Sequence, residues 1–405
     1  MKKGQFEAQL LLLVTLALVA FGLVMVFSAT SASATVGDSD ASYYLKKQGL
    51  YALVGIVLLV LARRIDYRSL RHLAPALVLA SIGLLFAVLV IGTAVNGARR
   101  WIQVGPAVFQ PSELAKLALV IWVAAYLARK PVPKTLGELA RPVGLVFGVV
   151  CALLLAEPDL GTTITIVLML GGVLVVSGAP GRLLATAGGL AAALTLAAIW
   201  LEPYRRARLL SFLNPWDDPQ GAGYQTVQAM IGLGSGGLFG EGLAQGILKV
   251  NYLPEAHTDM IFAVIGEELG LVGATVVIAA YAAFAYAGFR LALTCRDPFG
   301  KRLAAGITTL ICGQAVINLA AVMGAAPLTG ITLPFVSYGG SSLVVGLAAV
   351  GILLNIAGDH GQTAKARVPD RGRRDGRARA PVDRGRRSPS RARRERDVRR
   401  VARSG

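Results

Sequence analysis

The sequence predicts an all-α, polytopic membrane protein of ten transmembrane helices, with a large extracytoplasmic loop between helices seven and eight. Three observations carry this. The 405 residues are 55% hydrophobic and only 16% charged, where a soluble domain carries about 25% charged residues. Apolar runs suited to crossing ~30 Å of hydrocarbon at ~1.5 Å per residue recur from end to end. The basic residues between those runs are unevenly shared by alternate loops, which fixes an orientation.

The runs fall at 10–29, 46–62, 73–92, 114–128, 142–156, 160–177, 183–200, 260–289, 303–322 and 340–357. Met1-Lys2-Lys3 followed by an apolar run looks like a signal peptide, but the run is long and many more follow, so it reads as an uncleaved first helix. With the N-terminus cytoplasmic, the inner loops ahead of the tail hold fifteen Lys and Arg against eight in the outer loops. The opposite orientation reverses that bias, and an even number of spans puts both termini inside. Cys151, Cys295 and Cys312 lie in or beside apolar runs, and His72, His257 and His360 are scattered. Neither set has the spacing of a metal centre or a disulfide framework.

The outer segments carry the unusual chemistry. Between spans three and four, Arg99-Arg100-Trp101 precedes Pro111-Ser112-Glu113, which reads as a helix start with Ser112 as cap and Glu113 favourably placed in the first turn. Lys116 then lies one turn into the membrane, where it either snorkels back to the headgroups or binds an anionic substrate. Glu157-Pro158-Asp159 turns tightly between spans five and six, as a wet turn with a helix cap or as the lining of a polar cavity.

The longest outer segment, 201–259, includes the glycine-rich run Ile231–Gly240, whose glycines permit close backbone approach or N–H groups bared toward a ligand. No Gly-Lys-Ser/Thr follows, so it is not a nucleotide loop. At its end Glu255, His257, Asp259, Glu267 and Glu268 gather at the start of an apolar run. Carboxylates at a membrane edge are costly and usually functional, which makes Asp259 the leading catalytic candidate. Glu267 lies two turns further on, about 12 Å deeper in a continuous helix, and reads as structural. His257 has no visible catalytic partner. The last outer loop, Thr329–Ser342, is broken by Pro334 and Gly339-Gly340 and offers the hydroxyls of Ser337, Ser341 and Ser342. Irregular backbone at membrane depth survives where it is buried or lines a cavity.

Residues 1–358 thus form a membrane domain. Residues 359–405 form a tail with 17 Lys and Arg against 6 Asp and Glu, expected to be disordered and drawn to anionic lipid headgroups. It lacks interleaved aromatics, so nucleic acid is not the expected partner.

Taken together, Arg100-Trp101-Ile102, Gln110 through Lys116, Glu157 through Gly161, Asn214-Pro215 through Gln225, His257-Thr258-Asp259 through Gly270 and Leu333 through Ser342 resemble the SEDS family (shape, elongation, division and sporulation). Its members are polytopic glycosyltransferases that polymerise lipid II into peptidoglycan. The resemblance covers nearly the whole membrane body and implies ten helices with both termini cytoplasmic. It implies Asp259 as the essential acid, with Trp101 and Lys116 also important. Arg100, Glu113, Asp159, His257 and Ser337 lie in the same motifs and join Trp101 and Lys116 as candidate substrate-binding residues. Pro254 through Asp259, Ile265 through Gly270 and Gly22 through Ala29 look more like the division-type (FtsW-like) branch than the elongation-type (RodA-like) branch. The chain departs from many division-type relatives at Val108 and Thr329, where they carry a basic residue; other cations must then meet the phosphates.

The chemistry so implied has Asp259 as base on the acceptor hydroxyl and Lys116 and Arg100 beside the departing pyrophosphate. A divalent cation on Asp159 or Asp259 is left open as another source of positive charge. The implied partners are lipid II, a class B penicillin-binding transpeptidase, other division proteins and membrane lipids, at the cytoplasmic membrane of the division septum. A lipid II flippase and a non-catalytic division scaffold are the competing readings.

Overall fold

The computed structural model describes residues 4–31, 42–95, 98–105, 107–249 and 253–365. The expected tail lies outside the described residues from 366 onward. Among the described residues, ten helices are long and apolar enough to cross a membrane: α1 (Gln5–Ser31), α2 (Ser42–Arg64), α3 (Leu70–Ile91, entered through a tight turn at Tyr67–Ser69), α4 (Pro111–Arg129), α5 (Leu136–Ala156), α6 (Leu160–Ser177), α7 (Gly181–Trp200), α10 (Ile261–Thr294), α11 (Pro298–Val322) and α12 (Gly340–Lys365). Two shorter helices, α8 (Pro203–Leu213) and α9 (Tyr224–Ser235), belong to the long connection between α7 and α10. Because the crossings alternate, that connection lies with 92–110, 157–159 and 323–339 on one face of the bundle, here called the loop face.

Local chemistry sets the helix ends. Asp159 caps α6 by accepting from Thr162 N at 3.0 Å, and Asp297 caps α11 by accepting from Gly300 N at 2.9 Å, each satisfying a backbone donor that the first turn leaves free. Pro111 occupies the first turn of α4, where no N–H is missed. The cap of α4 is not Ser112, as its sequence suggests. Gln110 precedes the helix, its N–H donates to Ser341 Oγ at 3.0 Å, and the Ser112 hydroxyl is buried with no partner among the described residues.

The structure adds one element that hydropathy does not announce. Three strands ahead of α4 form a small antiparallel sheet, β1 (Thr93–Val95), β2 (Ala98–Val104) and β3 (Ala107–Phe109), in that order. Ile102 faces Phe109 and Gln103 faces Val108 across the second pair, so short alternating segments satisfy their backbone at the membrane edge.

The core sits around α4, of whose most apolar stretch 78% is buried, against 11% for α7. With so little of it inside, α7 is largely lipid-facing. α10 is not continuous. Gly270 (φ 65°, ψ −162°) breaks it in a backbone region essentially confined to glycine. The groups freed by the break are taken up by the glycine-rich run. Leu271 N donates to Gly237 O at 3.0 Å and Val272 N to Leu238 O at 3.1 Å. Glu241 N and Gly242 N donate to Glu267 O and Glu268 O, both at 3.0 Å. The glycines of 231–240 therefore serve close backbone approach: a Cβ on Gly270 would stand 2.4 Å from Gly240 N. A second close approach, at Gly22 of α1, would put a Cβ 2.6 Å from Phe335 O, so α1 packs directly on the irregular loop before α12.

Candidate active site

Asp259 lies on the loop face, in the turn that enters α10. Its main-chain carbonyl accepts from Asn318 Nδ2 of α11 at 2.7 Å, and the same amide donates to Ile331 O at 2.8 Å. One amide thus fixes the acid and the loop before α12 together. One turn earlier on α11, Gln314 donates from Nε2 to Thr332 O at 2.9 Å and accepts from Lys116 Nζ at 2.7 Å. Residues four apart share a helix face, so α11 ties Asp259 and Lys116 to one loop.

The Asp259 side chain is partly accessible. Thr258 Oγ1 donates to its Oδ1 at 3.2 Å and lies 3.0 Å from Glu255 Oε2. Burial, and then the nearby Glu255, push the carboxyl from its ordinary 3.8 to about 6, against the opposing pull of Thr258 and Arg208. Ionisation is disfavoured where a charge loses water and faces a like charge. Such an acid is ionised at neutral pH yet basic enough to accept a proton.

His257 packs its ring 4.8 Å from Tyr44 and 5.5 Å from Tyr338, and its carbonyl accepts from Tyr338 N at 2.9 Å. Burial lowers its pKa, leaving a neutral ring at pH 7. A cavity of about 220 Å³ opens beside it, lined by Lys249, Glu255 and His257 among others. Ser337 faces inward: its Oγ accepts from Leu333 N at 2.8 Å, closing a turn, and its carbonyl accepts from Gln48 of α2 at 3.1 Å.

Lys116 is 4% exposed and bonds Glu113 Oε1 at 2.9 Å as well as Gln314, so Glu113 and Lys116 form a buried pair lining a narrow gap toward Ser342 and Phe335. Trp101 stands half-buried on β2, its carbonyl accepting from Thr93 Oγ1 at 3.2 Å. Arg100, next to it, donates from Nε to Glu157 O at 3.0 Å and from its guanidinium to Pro158 O. Beside it lies Glu157, wholly buried, with neither carboxyl oxygen partnered among the described residues. Burial first, then Asp159, raise it to about 8, so it is a neutral acid at pH 7. Asp159 itself is committed to capping α6.

Among the described residues no three His, Cys, Asp or Glu side chains gather as metal ligands. Asp259 and Glu255, bridged by Thr258, supply two carboxylates, whereas a hard divalent cation takes six or more oxygens.

Glu267, read as structural from its depth, and its neighbour Glu268 are both tied into the fold. Glu267 accepts from Ile247 N at 2.7 Å and Leu248 N at 3.2 Å, and Glu268 pairs with Lys249 at 2.7 Å and accepts from Ser28. Sequence reasoning missed Gln314 and Asn318. Two amides at i and i+4 in an apolar run were the available signal.

Fold and site define an integral membrane protein of ten spans whose polar chemistry collects on one face, around a half-buried acid. The family model described as a cell cycle protein, covering FtsW, RodA and SpoVE, matches residues 8–362, and the chain belongs to that family. It is 44% identical over 350 residues to a probable peptidoglycan glycosyltransferase FtsW of Geobacter sulfurreducens, covering 86% of this chain and 94% of the relative. A chain from a solved peptidoglycan synthase complex coordinating polymerization and crosslinking superposes with a TM-score of 0.71 at 33% identity, covering 86% of this chain and 97% of that one. The crystal structure of the Thermus thermophilus rod shape determining protein RodA gives a TM-score of 0.65 at 30% identity, over 86% and 96%.

Proposed function

We propose that this protein is a peptidoglycan glycosyltransferase that polymerises lipid II at the outer face of the cytoplasmic membrane, in septal wall synthesis. The observation that carries the reading is Asp259, a carboxyl raised to about 6 on the loop face, within a chain whose relatives bear that activity in their names. The loop face is then extracytoplasmic and both termini are cytoplasmic, in keeping with the basic-residue bias. The last helix runs on to Lys365, beyond the boundary expected at 358, and residues 366–405 follow it as a cytoplasmic tail on anionic lipid.

The reaction joins two sugars. The acceptor hydroxyl of one lipid II attacks the anomeric carbon of the strand's lipid-bearing end. Asp259 takes the hydroxyl proton. The anomeric carbon–oxygen bond breaks, and its electron pair leaves with the polyprenyl diphosphate. Asn318 and the loop it grips hold Asp259 at the entry to α10, and a base fixed in place lowers the entropic part of the barrier. Trp101 at the membrane edge offers a ring face for a sugar. Glu113, Lys116, Asp159, Ser337 and His257 act from behind: their side chains hold the walls through the contacts above.

The complex matched by the fold couples polymerization to crosslinking, which supports a class B penicillin-binding transpeptidase as partner, alongside other division proteins. The test is polymerisation of purified lipid II in detergent with and without that transpeptidase. Glycan strands that lengthen in its presence support the reading. Lipid II crossing liposome leaflets without polymer contradicts it and favours a flippase. Rescue of a rod-shape defect rather than a septation defect places the chain in elongation instead.

A further inference from the structure

We propose that Arg208 is the cation that receives the diphosphate leaving group at the Asp259 site. The inference rests on the polymerase reading above, and it starts from which cations remain available. Lys116 is enclosed by Glu113 and Gln314. Arg100 is turned toward the α5–α6 turn, its Nε and one Nη donating to the carbonyls of Glu157 and Pro158. Lys249 is held by Glu268 at 2.7 Å. Arg205, on the same helix as Arg208, donates to Leu155 O at 2.9 Å and Ala198 O at 3.3 Å.

Arg208 differs. One Nη donates to Leu328 O at 3.3 Å and the guanidinium lies 4.9 Å from the Tyr204 ring centre. Its remaining N–H groups have no hydrogen-bond partner among the described residues. The carbonyl it touches begins a short turn that leads to Asp259. Two residues on, a Cβ at Gly330 would lie 3.9 Å from Asp259 Oδ2. Next, Ile331 O shares the Asn318 amide with Asp259 O. The 328–331 turn therefore carries the guanidinium at one end and the acid at the other, and Arg208's charge reaches the Asp259 carboxyl, favouring its ionised form. A planar guanidinium with free parallel donors matches phosphate oxygens two at a time, and it is always charged.

In the step itself the acceptor oxygen bonds to the anomeric carbon as the carbon–oxygen bond to the diphosphate breaks. The proton goes to Asp259 and the electron pair to the phosphate oxygen facing Arg208. No other reactant is required. The contact strengthens as negative charge develops on that oxygen, so it acts on the transition state more than on bound substrate.

Lipid II polymerisation by purified wild type, Arg208→Gln, Arg208→Lys and Arg206→Gln tests this, with initial rates taken across pH. In Arg208→Gln the expected result is a fall in kcat of about 100-fold with little change in KM. Its acid limb should also move to higher pH, because the groups facing Asp259 are then Glu255 and the neutral Thr258 and Asn318. Arg208→Lys should recover the limb and part of kcat, but bind inorganic pyrophosphate, read as inhibition, several-fold more weakly than wild type. Arg206→Gln, an exposed arginine on the same helix, should behave as wild type. Wild-type kcat and pyrophosphate inhibition in Arg208→Gln would overturn the inference. Should that variant fail to fold, wild-type kcat and inhibition in Arg208→Lys would overturn it equally. A wild-type protein that makes no glycan sinks the polymerase reading, whereas polymerisation indifferent to Arg208 sinks only this inference.

Discussion

Burial and Glu255 hold the Asp259 carboxyl near 6 rather than 3.8, and two pH dependences follow. As the proposed base, Asp259 acts ionised, so kcat should rise with pH through an acid limb centred about 6 and level off above it, as initial rates in a pH series would record. Stability runs the other way. The raised value means the folded state keeps its proton between 3.8 and about 6 while the unfolded chain loses it, so this group's contribution to stability falls as pH rises across that window. Asp259 was legible in the sequence because a carboxylate at the edge of an apolar run stands out. Its supports were not. Asn318 lies 59 positions away, and Arg208 is one of eight bases in the outer loops; only the packing of α8 turns Arg205 and Arg208 to different carbonyls. Charge alone points to Lys116 and Arg100, and their contacts with Glu113, Gln314 and the carbonyls of Glu157 and Pro158 show how the protein itself uses that charge.

At the scale of elements, the ten spans were readable because length and hydropathy are local properties. The break in α10 was not, since 260–289 is apolar enough to read as one span despite Glu267 and Glu268, and Gly270 looks like any glycine until a second segment closes on it. Gly270→Ala tests that joint. Alanine at φ 65°, ψ −162° is strained by roughly 1–3 kcal/mol, and its Cβ would stand 2.4 Å from Gly240 N and 2.6 Å from Leu238 O, both backbone atoms. The variant should unfold at lower temperature in detergent and lose activity with it, because the loop that grips the break also carries the partner of Glu268. The small sheet at 93–109 was missed for a related reason: strands of three, seven and three residues are too short for periodicity to separate from loop.

Across the whole molecule, α11 ties the cationic and acidic parts of the loop face to one irregular turn, while the lipid-facing α7 stays outside the core. That arrangement gives a rigid site at the edge of a membrane-embedded body, suited to a substrate whose sugars are in water and whose tail is in lipid. Everything in it converges on one side chain, and one substitution addresses it. Asp259→Asn keeps the shape and the main-chain bond from Asn318, and it removes a carboxyl that burial disfavours when ionised, so at pH 7.5 its thermal unfolding temperature should match or exceed that of wild type. Glycan strand formation from lipid II by the purified variant with its transpeptidase should then fall at least 100-fold. Polymerisation near the wild-type rate by the folded variant would contradict Asp259 as the base.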